Sequence, residues 1–450
     1  MAGSRGEFSS RFGFVMAASG SAVGLGNIWG FPTQAASNGG AAFLLVYLLL
    51  TFLLAYPALM AELILGRHAH SNSVAALRKV SGSHLVREIG ALTGIAGFTV
   101  ASLALSFYAI VAGWMVAFCV AALAELSGST ALSHWLTSFG LWRNVLFLVI
   151  FLALTIGIIS AGVNKGIERW SRRLMPALLV MLVVLVVYVL TLDGAMTGLK
   201  IYLMPDFSGV LSPHLILNAL GSAFFSLSLG VGTMLIYGSY VSDDENLPLL
   251  GGVVTLVDVS IAVLAGFLVL PAMYVALHNG VEIFTASGAL ISEDTLIFTV
   301  LPELFATIGL PGVVVSFTFF FLMSIAALTS AISMLEVPVA YVTEEFNTER
   351  HVTAWVIGGI IACFSCIILL NFDELFGFII TLTTRYSQPL LGFMFCIYVG
   401  WVWRRDSLLQ EIRKGYPEVE TGLFWKIWPW YVKVVCPLII LGIFAQSLQG

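Results

Sequence analysis

The chain has 450 residues, of which 59% are apolar and only 10% charged, and its mean hydropathy is +0.99. That composition excludes a soluble globular fold and a nucleic-acid partner and points to a polytopic membrane protein in contact with the lipid bilayer. The net charge of −5 says little, because in a membrane chain the placement of charges matters more than their sum.

Apolar runs of spanning length lie at about 12–35, 41–66, 89–124, 143–162, 171–191, 214–240, 249–277, 306–342, 352–370, 375–403 and 432–448, which predicts eleven membrane helices. Arg5 and Arg11 precede the first run as in a signal peptide, but the run is long, contains Asn27 and Pro32, and lacks a convincing cleavage site. It therefore reads as the first span. With the N-terminus inside, fifteen Lys and Arg residues, among them Arg5, Arg67, Arg172, Arg350 and Arg413, fall on the cytoplasmic side and only Arg143 and Lys200 outside. This bias predicts a cytoplasmic N-terminus and, with an odd helix count, an external C-terminus. Lys426 and Lys433 beside Trp425, Trp428 and Trp430 read as interfacial anchors. Cys119, Cys363, Cys366, Cys396 and Cys436 all sit in apolar runs and read as small packing residues.

Two external connections are long, 191–213 and 278–305; the segment 279–304, with Glu293 and Asp294, reads either as a short helical cap or as an ordinary loop. Nothing marks a second soluble domain, so residues 1–450 read as one membrane domain.

Two runs are interrupted. Gly20-Ser21-Ala22-Val23-Gly24-Leu25-Gly26-Asn27 lies inside the first, and Phe225-Ser226-Leu227-Ser228-Leu229-Gly230-Val231-Gly232 inside the sixth. Gly20 and Gly24 alone could serve close helix packing, but three glycines and an asparagine suggest a helix break. Broken backbone at membrane depth must line a protein cavity. Spans 1 and 6 are equivalent positions if spans 1–5 and 6–10 are two halves of opposite orientation, about 11–191 and 214–403, an arrangement that places binding sites at the midplane. Freed amides and half-helix dipoles there suit a carboxylate, and freed carbonyls suit cations. Glu62, Asp258, Glu336 and Arg385 are ionisable residues at or near membrane depth and are functional candidates on that ground.

Several long words of the chain resemble the neurotransmitter:sodium symporter family: Arg11-Phe12-Gly13, the stretch 20–27, Phe31-Pro32, Asn38-Gly39-Gly40, Glu62 before Gly66-Arg67, Tyr108 with Trp114, residues 164–169, residues 224–230, and Ala326-Ala327-Leu328-Thr329-Ser330. The resemblance runs from residue 5 to about 403. It implies an all-α polytopic membrane protein with a LeuT-like 5+5 inverted repeat, broken helices 1 and 6, and an eleventh helix at about 432–448. The absence of a twelfth helix and of any Asn-x-Ser/Thr sequon is similar to the bacterial branch, implying the bacterial cytoplasmic (inner) membrane.

The resemblance further implies sodium-coupled symport of an L-amino acid by alternating access. The carboxylate of the substrate would meet the amides of Leu25 and Gly26 and the Tyr108 hydroxyl. Its ammonium would meet the carbonyls of Ala22, Phe225 and Ser226 and the Ser228 hydroxyl. Two sodium ions are implied, one held by Ala22, Asn27, Ser226, Asp258 and the substrate carboxylate, the other by Gly20, Val23, Ala326, Thr329 and Ser330, in oxygen shells of the kind hard cations require. Without the resemblance, Thr329 and Ser330 would read as hydroxyls bonded to their own helix. Many relatives carry asparagine where Asp258 aligns, so its fixed charge implies chloride-independent transport. Glu62 reads as a protonated structural carboxyl bonded to the unwound part of span 6. Arg385 has no counterpart in the family; it could pair with Glu336, bond a backbone carbonyl, or face a wet cavity.

The implied side-chain pocket consists of Ala104, Tyr108, Phe225, Ser228, Val231, Ser330 and Met334. Compared with a leucine-selective pattern, Ala104 replaces valine and Val231 replaces phenylalanine, which predicts room for a bulky aliphatic or aromatic side chain; helix tilts that absorb the volume would instead leave a smaller one. At the inner gate Arg5 and Glu344 match an ion pair, with Tyr240 nearby and Phe8 where many members carry tryptophan. At the outer gate both charges are missing, with Gly30 and Phe376 in their places, so closure there would rest on Tyr108 and Phe225. An intramembrane enzyme is not supported, since no HExxH, paired-aspartate or Gly-x-Ser-x-Gly signature occurs. A substrate-gated channel or receptor on the same scaffold stays open.

Overall fold

Where water is absent the backbone must bond to itself, and the apolar runs accordingly become helices. The computed structural model describes residues 6–204, 210, 212–284 and 296–448. In chain order the helices are α1 (Arg11–Ala22), α2 (Gly26–Ser37), α3 (Ala41–Ala69), α4 (Ser73–Val80), α5 (His84–Leu126), α6 (Thr130–Thr137), α7 (Leu141–Ser160), α8 (Val163–Leu190) and α9 (Ala195–Leu203). They continue with α10 (Pro213–Ser226), α11 (Thr233–Gly238), α12 (Leu247–His278), α13 (Ile297–Thr307), α14 (Leu310–Glu345), α15 (Arg350–Leu370), α16 (Phe372–Ile380), α17 (Gln388–Ile397), α18 (Arg405–Arg413) and α19 (Leu423–Ser447).

Among the described residues eight helices are long and apolar enough to cross a bilayer, and α1 with α2, bent by 58°, make a ninth. The other two of the eleven expected runs are not single regular helices. The sixth is split into α10 and α11, and the tenth passes from α16 to α17 through a π-helical turn, Thr381–Ser387. Of the long connections, 191–213 contains α9, which packs on α12, with the Tyr202 hydroxyl donating to the Val263 carbonyl at 3.1 Å. Of the two readings of 279–304, a helix is present at its end, where α13 begins at Ile297; Glu293 and Asp294 lie outside the described residues.

The first break has local causes. Ser10 caps α1, its Oγ accepting from the Gly13 amide at 3.0 Å, and the helix stops where Val23 turns extended at φ −71°, ψ 99°. In the second, α10 starts with a Ser212 cap and Pro213 in its first turn, the usual start signals. It ends where Ser228, Gly230 and Gly232 take φ of +52°, +80° and +82°, a left-handed run that no helix continues. A Cβ on Gly230 would lie 2.1 Å from the Gln388 carbonyl oxygen, so glycine there serves both the turn and the close approach of α17. α1 is surrounded by α8, α12 and α14, and α14 runs along α5; the first break is therefore at the centre of the bundle rather than at its lipid surface.

Two readings need correction. Cys119, Cys396 and Cys436 are buried, but Cys363 is exposed and Cys366 half-buried on α15, because an apolar run shows lipid and core faces alike in sequence. Lys433 meets Trp401 rather than one of the expected tryptophans, its Nζ 4.4 Å from the ring centre, and Trp425 and Trp428 are buried, so of those three only Trp430 is exposed.

Candidate binding site at the paired helix breaks

Asn27, on the first turn of α2, reaches across to α12 and α10. Its Nδ2 donates to Asp258 Oδ1 at 2.7 Å and to Ser226 Oγ at 2.8 Å. Ser226 Oγ donates in turn to Asp258 Oδ2 at 2.7 Å and accepts from the Tyr47 hydroxyl at 3.1 Å. The Asn27 side-chain Oδ1 accepts from the Gly24 amide at 3.2 Å. Asp258, Asn27 and Tyr47 are fully buried, and among the described residues no cationic side chain pairs with Asp258. A buried carboxylate without a positive partner costs several kcal/mol, so the group is tied to another role.

A second convergence joins α14 to the end of α1. Ser330 Oγ lies within hydrogen-bond range of three carbonyl oxygens, Gly20 at 3.3 Å, Ser21 at 3.3 Å and Val23 at 3.2 Å. Thr329 bonds to its own helix, donating to the carbonyls of Ile325 at 3.1 Å and Ala326 at 3.0 Å. A Cβ on Gly20 would lie 3.1 Å from Thr329 Cβ, so both hydroxyls, the Ala326 carbonyl and the carbonyls of Gly20 and Val23 share one locality.

Between these clusters lies the break itself. The Leu25 amide points at the Tyr108 hydroxyl at 3.4 Å, and a Cβ on Gly26 would lie 3.0 Å from the Phe225 ring. Ser228 Oγ donates to the Ser21 carbonyl at 3.0 Å, which ties the two breaks together. Ala104, Val231, Ser330 and Met334 are buried, as is Ala22, whereas Phe225 is 39% exposed. Phe225, Tyr108, Leu25 and Gly26 line a chamber of about 860 Å³ whose walls are aromatic, with Trp29, Trp114 and Phe376 among them. Gly30 also lines it, and a Cβ there would meet nothing within 4 Å. A side chamber of about 770 Å³ shares Gly26, Gly30, Phe107, Phe225 and Ile380 with it and holds Arg385 and His214.

The other end of the bundle is closed. Glu336, fully buried, pairs with Arg350 and accepts from the Tyr240 hydroxyl at 2.5 Å, and Arg350 Nε donates to the Ile159 carbonyl at 3.0 Å. The pairing of Glu336 with Arg385 is thus corrected: the two residues sit at different levels, and Arg385 faces a cavity. Phe8 donates its amide to the Tyr240 carbonyl at 3.0 Å and packs edge-on against the Tyr240 and Tyr237 rings. Arg5 lies outside the described residues; its expected partner Glu344 accepts from the amide and side chain of Asn72 at 2.8 and 2.9 Å. Glu62 Oε1 accepts from the Gly230 amide at 2.7 Å, as expected for a carboxyl bonded to the unwound part of span 6.

Sequence reasoning missed Tyr47, Arg350 and Glu168. Tyr47 was one aromatic among many in an apolar run, and Arg350 was counted only as a cytoplasmic charge. Glu168 holds the start of α1, accepting from the Ser9 amide at 2.8 Å and Ser9 Oγ at 2.6 Å; its signal was the word 164–169, whose role no spacing revealed.

The sodium:neurotransmitter symporter family profile matches residues 5–138 and 127–450. The chain belongs to that family. It is 35% identical to an uncharacterised sodium-dependent transporter of Bacillus subtilis, over 98% of this chain and 97% of that one. An uncharacterised sodium-dependent transporter of Haemophilus influenzae is 30% identical over 99% and 98%. The crystal structure of MhsT in complex with L-phenylalanine superposes with a TM-score of 0.82 at 34% identity, over 98% of this chain and 100% of that one. The fold is therefore the LeuT-like inverted repeat, and the protein is a sodium-dependent transporter of the membrane.

Proposed function

We propose that this family member is a symporter of the bacterial inner membrane, with its N-terminus cytoplasmic and its C-terminus outside, that couples two sodium ions to uptake of a bulky hydrophobic L-amino acid. The observation that carries the reading is Asp258, a buried carboxylate bonded to both Asn27 and Ser226 with no cationic side chain beside it among the described residues. A sodium ion bound by Ala22, Asn27, Ser226 and Asp258 supplies the missing positive charge, with the substrate carboxylate closing its shell. Occupancy of that site then depends on the substrate, and the reverse, which is the coupling a symporter requires. Because Asp258 supplies a fixed anion, transport proceeds without chloride. The second ion is held where Gly20, Val23, Ala326, Thr329 and Ser330 converge, and it ties α14 to α1.

The substrate lies between Tyr108 and Phe225, its carboxylate on the Leu25 and Gly26 amides, its ammonium on the carbonyls of Ala22, Phe225 and Ser226 and the Ser228 hydroxyl, and its side chain toward Ala104, Val231, Ser330 and Met334. The L-phenylalanine held by MhsT and the small residues Ala104 and Val231 support a large side chain over a small neutral one. The open aromatic chamber at one end and the Glu336–Arg350 pair at the other correspond to a state facing outward, and alternating access exchanges which end is closed. The test is uptake of labelled L-phenylalanine into proteoliposomes. Accumulation that needs an inward sodium gradient and persists in gluconate supports the proposal. Equal uptake with potassium on both sides removes the sodium coupling, and downhill flux that never concentrates the label favours a substrate-gated channel.

A further inference from the structure

His70 ends α3 in the left-handed conformation, φ +48° and ψ 38°, a position that glycine or asparagine usually takes. Both of its ring nitrogens face acceptors. Nδ1 lies 3.2 Å from the Ser239 carbonyl oxygen and Nε2 3.2 Å from Asp243 Oδ1. Burial pushes the Asp243 carboxyl up, but hydrogen bonds from Lys414 and His70 and the Lys414 charge outweigh it and hold it below its ordinary 3.8; it accepts and does not donate. A neutral imidazole has one N–H and one lone pair, so only the imidazolium satisfies both contacts. His68 differs: its Nδ1 alone is engaged among the described residues, 3.1 Å from Glu411 Oε2, and a neutral ring serves there. The other charges nearby are already bonded, Arg67 and Lys414 to Glu411, Lys79 to the His68 carbonyl and Glu344 to Asn72.

The two groups that His70 holds belong to the segment 239–246, which follows α11 and closes this end of the bundle. Within it the Tyr240 carbonyl accepts from the Phe8 amide, the Tyr240 hydroxyl donates to Glu336, and Glu245 pairs with Arg11 at the start of α1. We propose that His70 is a proton-operated latch on the closed end: charged, it fastens the segment 239–246 to α3 and favours closure; neutral, it loses a donor and that end opens more readily. Imidazole ordinarily changes charge between about pH 5 and 8, so closure is firmest on the acid side of that window and weakens as pH rises through it. The His70 ring and Asp243 are partly exposed, with 37% and 52% of their side-chain surfaces accessible. Protons therefore reach them from solvent, and the effect is that of a screened pair rather than a buried one. That the pH sensed is cytoplasmic rests on the orientation proposed above; the latch itself does not.

Ser333, buried on α14, accepts from Ser21 Oγ of α1 at 2.7 Å, so a cysteine there meets solvent when α1 parts from α14. Ser333→Cys is placed in a chain also carrying Cys363→Ala and Cys366→Ala, and its modification by a charged methanethiosulfonate is timed in detergent and potassium buffer, with His70 kept or replaced by His70→Gln or His70→Arg. Ratios of rates taken at one pH cancel the titration of the reporter thiol. His70→Gln is expected to react about threefold faster than the chain with His70 at about pH 6, the size of an exposed pair, and at an equal rate at about pH 8.5, above the window of the imidazole. His70→Arg, a permanent cation, is expected to stay slow throughout. A His70→Gln ratio that is the same at every pH overturns the proposal, as does a pH dependence that His68→Gln abolishes. If His70→Gln fails to fold, the rate of the His70 chain over that of His70→Arg decides: it must rise with pH, and a flat ratio overturns the latch. The assay needs neither transport nor a membrane orientation, so a chain with the pH-dependent ratio but no sodium-driven uptake keeps the latch and removes the function proposed above.

Discussion

Asp258 is a residue whose surroundings say more than its type. Two hydrogen bonds, from Asn27 and Ser226, fix its oxygens at the point where three helices meet, and neither donor carries a charge. Replacing it with asparagine keeps the volume and removes the anion. Asp258→Asn is expected to raise the sodium concentration for half-maximal L-phenylalanine binding about tenfold, equivalent to about 1.4 kcal/mol, and to make binding respond to chloride; an unaltered sodium titration would remove Asp258 as a ligand. Thr329 and Ser330 differ in a way their adjacency hides. Ser330 Oγ reaches three carbonyls at the end of α1, those of Gly20, Ser21 and Val23, whereas among the described residues Thr329 Oγ1 bonds within its own helix α14. Ser330→Ala is therefore expected to shift the sodium titration more than Thr329→Ala; the reverse order, read in the same binding assay, would place the ion on the threonine side.

At the scale of elements, the second break works because α17 presses against it. Gly230→Ala puts a methyl group 2.1 Å from the Gln388 carbonyl oxygen at a φ of +80°. The backbone conformation alone costs about 1–2 kcal/mol for a residue with a side chain, and the contact adds to it. The variant should lose L-phenylalanine binding at a clearly lower temperature in detergent; an unchanged midpoint would mean that α17 yields easily. On the basic face α18 is latched to the end of α3. Arg67, fully buried, donates from Nε to Glu411 Oε1 at 2.8 Å and from Nη1 to the Glu245 carbonyl at 2.7 Å. Burial pushes the Glu411 carboxyl up, but the His68 hydrogen bond, the Arg67 charge and Lys414 outweigh it and hold it at about 2. A carboxyl depressed from its ordinary 4.5 stabilises the fold fully above that value and loses the contribution as pH falls through about 2. The full effect is about 3 kcal/mol. Thermal midpoints measured down the pH scale should fall below about pH 5, and Glu411→Gln should flatten that slope; an equally steep slope in the variant would assign the acid sensitivity elsewhere.

For the whole molecule, the end away from the chamber is held by a pair in which Glu336 is fully buried and Arg350 only partly so. Removing one partner of such a pair costs about 3–5 kcal/mol, whereas replacing both with apolar residues can cost little. Arg350→Met alone is expected to destabilise the protein strongly, read as a lower thermal midpoint in detergent, and adding Glu336→Leu to recover much of that stability. If the double variant is no more stable than the single one, the Tyr240 hydroxyl bond to Glu336 is what the closure depends on. Opening also has to release the anchored start of α1, where Ser9 is bonded to Glu168 and Arg11 to Glu245 at 2.6 Å.

The sequence by itself determined that the chain lives in a membrane, that its first and sixth spans break, and which words mark it as a symporter of this family. Those properties are local: apolar length, glycine placement and the order of residues along one strand of chain. The family's words also made Asn27, Ser226 and Asp258 expected neighbours, and their hydrogen bonds to one another show that proximity; their role as sodium ligands is a proposal. Tertiary structure decided which groups meet. Tyr47 joins Ser226, Glu336 takes Arg350 rather than Arg385, and Arg385 turns into a chamber, because each outcome depends on how helices far apart in sequence rotate against one another. A helix shows lipid, core and cavity with the same apolar alphabet, so only packing separates a residue that faces a chamber from one that faces another helix.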